Sequence, residues 1–276
     1  MSVSSQEFRA EAERILQEMY RLVDDFFAEV DAFYEDPKVR LVWNQSNQGR
    51  AFGLAGLGHQ CNYLEVMRGL SQSDINPYLS SLVKRHCDET WATSICLMMG
   101  DESDAKNFFG NAARNEKFQL VKRRVLVEQG KLPAEWADPP QQFKDVEDGH
   151  WKFETVFSRA GELLRQGDVV TGAENLYDTV YRLLSNQLGA HPTPYVFDPY
   201  ITQGAVFIRV SRTPNLEGLG SYVVALASLN FVAALLMTIL CALAAAKALG
   251  VQPDPLGSIL VRFEALRVEL SPYLPQ

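Results

Sequence analysis

From Tyr222 to Ala246 the chain carries no charged residue. A helix built from this run has no polar side to offer water. It needs either the middle of a helical bundle or a bilayer, which takes ~20 apolar residues to cross. Ser228, Asn230 and Thr238 interrupt the run, and much of the rest is alanine, which adds little insertion energy but lets neighbouring helices approach closely. The flanks lack the basic cluster and aromatic belt of a membrane span. The expectation is a buried core helix, with a membrane span as the alternative.

A buried helix needs amphipathic partners, and the sequence supplies them. Ile15, Met19, Leu22, Phe26, Phe27, Val30 and Phe33 recur at helical spacing, which predicts a helix from about Ser5 to Tyr34 broken by Glu35-Asp-Pro-Lys. Further helices are predicted over about Gly49–Leu70, Ser73–Met99, Ser103–Gly130, His150–Arg165, Val170–Leu188, Leu216–Leu249 and Leu256–Leu270. Prolines at 133, 139 and 140 make Lys131–Asp148 a surface loop with at most a turn of helix. Val206, Ile208 and Val210 alternate with Phe207, Arg209 and Ser211, which suits a short extended piece. The fold class is therefore all-α: a single-domain bundle of about seven or eight helices over residues 1–276.

The net charge of −8 disfavours a broad nucleic-acid-binding face, which needs clustered Lys and Arg, but leaves room for a local basic cleft. Cys61, Cys87, Cys96 and Cys241 have neither zinc-site spacing nor the look of a disulfide framework, and read as free thiols of a cytoplasmic protein. The N-terminal residues lack the basic and apolar regions of a signal peptide. There is no phosphate-binding loop, nucleophile elbow or His-Glu-x-x-His, so no cofactor or metal is expected.

Chemistry-bearing residues gather in two stretches. On the 73–99 helix, Arg85 and Glu89 fall in the sector of Ile75, Tyr78, Leu79 and Leu82, while Lys84 and Asp88 fall on the opposite side. An Arg and a Glu four apart can meet, and on an apolar sector that meeting would be buried, where charge is costly unless paired. Such a pair either fixes helix register or lines a cleft. His86 adjoins it, in the wrong order for a Glu-x-x-His metal motif. Asp24, Asp25 and Glu29 form a solvated acidic face. On the 170–188 helix Tyr181 lies on the apolar side with Ser185 at its margin, and His191, able to act as acid or base, follows the helix end.

Arg85-His-Cys-Asp-Glu89-Thr-Trp91, then Ala105-Lys-Asn-Phe108 and Lys122-Arg-Arg124, then Tyr181-Arg-Leu-Leu-Ser185 with His191-Pro-Thr, together resemble the bacterial DUF5677 family over residues 79–193. The family pattern is an Arg-x-x-x-Glu helix, an Ala-x-x-Phe helix and a Tyr-x-x-Leu-Ser segment with a nearby His. This chain places five residues between Ser185 and His191 where the pattern has about three. The resemblance implies an all-helical protein, distantly similar to HEPN-like and abortive-infection proteins, some of which cleave RNA. On that reading Arg85, Glu89, Tyr181, Ser185 and His191 are the candidate catalytic residues, RNA in a local cleft or a small molecule is the ligand, and a homodimer is the assembly. The Arg182-to-His191 interval is longer than the Arg-x(4–6)-His of those ribonucleases. The alternative is a non-enzymatic helical interaction or small-molecule-binding protein.

Overall fold

The computed structural model describes residues 5–44, 48–72, 77–138, 146–169, 197–202, 205–210 and 220–273. Among them lie eight α-helices: α1 (Ser5–Glu35), α2 (Pro37–Asn44), α3 (Gln48–Ser71), α4 (Pro77–Met99), α5 (Glu102–Glu128), α6 (Phe153–Gln166), α7 (Gly220–Leu249) and α8 (Asp254–Leu270). The alternating stretch forms a strand, β2 (Ala205–Val210), paired antiparallel with β1 (Phe197–Thr202) so that Phe197 faces Val210 and Thr202 faces Ala205. The protein is otherwise an all-α bundle.

Local chemistry sets the boundaries. Pro37 opens α2, and Asp36 accepts a hydrogen bond from the Lys38 nitrogen at 2.8 Å, so the chain turns where the first helix ends. Asp101 and Asp104 form a reciprocal capping box at the start of α5, each carboxylate accepting from the other's backbone nitrogen. Gly130 and Gly250 leave α5 and α7 with positive φ, the conformation that ends a helix most cheaply in glycine.

Helix α4 is the hub, packed on α3, α6 and α7, while α1 and α8 cover one another and the far side of α7. The uncharged run is the core: Phe231, Leu235, Ile239, Ala242 and Ala244 to Ala246 are all fully buried. The most apolar 18-residue stretch within Ala227–Leu249 has a mean hydropathy of 2.3, and 78% of it is buried inside the bundle. The run is therefore matched by protein on its flanks. Its two buried polar members are satisfied there: Asn230 donates to the hydroxyls of Ser80 and Ser81 at 2.9 Å each, and Thr238 donates to the Ala234 carbonyl at 2.7 Å.

Gly53 and Gly56 of α3 form a seam against α4. A Cβ on Gly53 would overlap the Met98 side chain and stand 3.1 Å from both the Met98 nitrogen and the Ser94 carbonyl oxygen. The two backbones thus approach too closely for a larger residue. Gly53→Val should push α3 off α4 and cost about 1–3 kcal/mol, read as a lowered urea midpoint. An unchanged midpoint would mean the helices part freely at that level.

Candidate functional site

The packing of α3 and α7 decides which face of α4 is buried, and it is not the face carrying Arg85 and Glu89. Lys84 and Asp88 are 1% and 0% exposed and form an ion pair one turn apart. Around them lie Ser80, Ser81, Cys87, Trp91, Ala92 and Ile95, all buried. Leu79 and Leu82, members of the stripe that marked the expected buried sector, are exposed. The assignment is corrected accordingly. Small hydroxyl residues let α7 come close, and Asn230 and Gln60 supply polar partners, so the interior of the bundle holds a polar layer where an apolar one was expected. Gln60 donates to the Cys87 carbonyl, and the Cys87 thiol donates to the Gln60 side-chain oxygen at 3.0 Å.

This layer is a poor place for chemistry. Burial drives the Asp88 carboxyl above the ordinary carboxylate range, while the adjacent Lys84 ammonium pulls it back. Burial pushes the Cys87 and Cys61 thiols up to about 12, and those of Cys96 and Cys241 upward as well, so none is a ready thiolate nucleophile. All four cysteines are free, as their spacing suggested. Among the described residues, one Asp88 oxygen, Oδ2, and the Trp91 indole nitrogen have no hydrogen-bond partner.

Arg85 and Glu89 sit on the flank of α4, 31% and 18% exposed, with Arg85 Nε 3.2 Å from Glu89 Oε1. Neither is sealed in the core. His86, 55% exposed, places Nδ1 3.7 Å from the other Glu89 oxygen. One carboxylate thus stands between a guanidinium and an imidazole at a solvent-reachable position. Sequence reasoning weighed His86 only against a metal motif. The signal for its present role was its i, i+3 spacing to Glu89, which puts both on adjacent turns of one face.

Tyr181, Ser185 and His191, with the whole 170–188 helix, lie outside the described residues. Their relation to Arg85 and Glu89 rests on the sequence alone. Among the described residues no group of three His, Cys, Asp or Glu side chains is placed to hold a metal ion. Asp24 and Asp25 of the acidic face are engaged by Arg68 and Arg262 from α3 and α8. No family model, curated protein or solved structure matches this chain.

Proposed function

We propose that this protein is a HEPN-like effector that cleaves RNA by acid–base chemistry, with Arg85, His86 and Glu89 as the contribution of α4 to the site. The observation that carries the reading is the Glu89 carboxylate held between the Arg85 guanidinium and the His86 ring where solvent reaches it. Glu89 would take the proton of a ribose 2′-hydroxyl, whose oxygen attacks the adjacent phosphorus. Protonated His86 would give its proton to the departing 5′-oxygen. The products are a 2′,3′-cyclic phosphate and a 5′-hydroxyl end. Arg85 would balance the negative charge gathering on the phosphoryl oxygens. Tyr181, Ser185 and His191 are the residues expected to complete the site from the later segment.

Purified protein incubated with a fluorescent single-stranded RNA and a chelator tests this. Glu89→Gln and His86→Ala should each slow cleavage by about 10²–10⁴-fold while leaving the thermal midpoint near that of the wild type, since His86 is exposed and Gln keeps the shape of the half-buried Glu89. Intact RNA with the wild-type protein, or equal rates for all variants, would remove the proposal. The second reading is then a non-enzymatic helical protein, favoured by the Arg85–Glu89 ion pair one turn apart on α4, which would fix the register of that helix.

A further inference from the structure

Helix α5 is the least covered of the long helices. Beyond Ala113 only Leu120 is buried, and that anchored side is backed by the Ala134–Ala137 turn and by Asp148: Arg124 donates to the Ala137 carbonyl at 3.0 Å and Lys117 pairs with Asp148 at 2.7 Å. On the adjoining face Phe118, Val121 and Val125 follow one another at i, i+3 and i+7, with Phe118 and Val121 64% and 62% exposed. Trp136, on the 3-10 turn Ala134–Ala137 that packs on α5, is half-exposed too.

The charge around this stripe runs against the rest of the chain. From Arg114 to Asp138, the stretch that carries the stripe and Trp136, there are six cations against four carboxylates, a local +2 in a protein of net −8. Arg123 is tied to Glu116 and Lys117 to Asp148, and Arg114 lies beside His150 within reach of the Asp148 charge, but Lys122, Arg124 and Lys131 have no carboxylate partner among the described residues. Lys122 lies along the apolar stripe, its ammonium 4.6 Å above the Phe118 ring.

We propose that this face of α5, with Trp136, docks on an anionic bilayer surface. Apolar side chains flanked by Lys and Arg are what an interfacial helix needs: the first enter the headgroup–acyl boundary while the second meet lipid phosphates. Two features favour lipid over other anionic partners. The middle of the stripe is aliphatic, and Val121 and Val125 offer a nucleobase neither a stacking plane nor a hydrogen bond, whereas single-stranded RNA platforms are aromatic. Lysine is depleted from the cores of protein–protein interfaces, yet Lys122 stands inside this one, where its stem can lie along apolar surface and its ammonium reach upward to phosphate. The proposal goes beyond the RNA-cleavage reading and does not depend on it.

The full chain should float with vesicles of phosphatidylglycerol and phosphatidylcholine in equal parts, and not with phosphatidylcholine alone. Bromine-labelled acyl chains should quench tryptophan emission in the wild type, and Trp136→Phe should lose most of that quenching. Lys122→Ala/Arg124→Ala should bind the anionic vesicles roughly thirtyfold more weakly, and Val121→Ser/Val125→Ser should abolish quenching. Equal binding to both vesicle types, or no quenching attributable to Trp136, overturns the proposal. So does a fluorescent single-stranded RNA that binds through the same cations in a protein that ignores vesicles. Should a double variant fail to fold, the quenching of wild type against Trp136→Phe still decides.

Discussion

Lys84→Met should destabilise the protein by about 3–5 kcal/mol at neutral pH, measured by urea unfolding, because it strands Asp88 as an uncompensated charge in the core. The pH dependence has a definite sign. Burial raises the folded-state pKa of Asp88 above its unfolded value, so its contribution to stability is fully present below the unfolded pKa and is lost as pH rises through the folded one. Removing the Lys84 cation raises the folded pKa further. The gap between variant and wild type should therefore narrow as pH falls toward the unfolded carboxylate range near about 4. Lys84→Met/Asp88→Leu, which empties the core of both charges, should recover most of the loss. A single variant that matches the wild type at every pH would mean that the pair does not act as a buried ion pair.

The second large effect is expected at Trp91, the bulkiest of the fully buried side chains. Its indole joins α4 to α6 by a tilted contact with Phe157, ring centroids 6.3 Å apart. Trp91→Ala should cost about 3–5 kcal/mol, the lost transfer energy plus that of an unfilled cavity. Trp91→Phe should cost far less than the volume change suggests, because the indole N–H has no hydrogen-bond partner among the described residues and its removal relieves a buried unmet donor worth about 1–3 kcal/mol. Thermal unfolding of the two variants side by side checks the order. Equal costs would imply that the N–H is engaged.

These two residues also explain what could be read from the chain alone. Element positions follow from periodicity and breakers: α1, α3, α4, α5 and α8 lie within a few residues of the ranges their periodicity predicts, and Pro37, Gly100, Asp101 and Pro253 mark where α1 and α4 end and where α5 and α8 begin. The buried face of α4 was misread because its first half was used to define it. Leu79 and Leu82 point to one side, but Trp91, Ile95 and Met98 in the second half share a line with Lys84 and Asp88, and all five are buried. The heavier side chains in contact with α6 and α7 set the rotation, and the charged pair is carried inward with them. Asn230 held a complementary clue. An amide in an uncharged helix needs partners, and only a polar stripe on a neighbour, here Ser80 and Ser81, can supply them. The later Tyr181–Ser185–His191 stretch was legible as a resemblance and not as geometry, since its role depends on which helix it meets.

The late position of α7 bears on how the molecule is assembled. The Asn230–Ser80 contact closes 150 residues of chain, and the faces of α3 and α4 that α7 covers are made long before it. Contacts this distant in sequence slow folding, because loop-closure entropy is lost before packing is gained. Until α7 docks, the apolar and polar halves of the α4 interior both face water. The polar layer then acts as a key as well as a cost: an arriving helix shifted by one turn would leave Asn230, Ser80 and Ser81 without each other, so hydrogen bonding proofreads the register of the closing step.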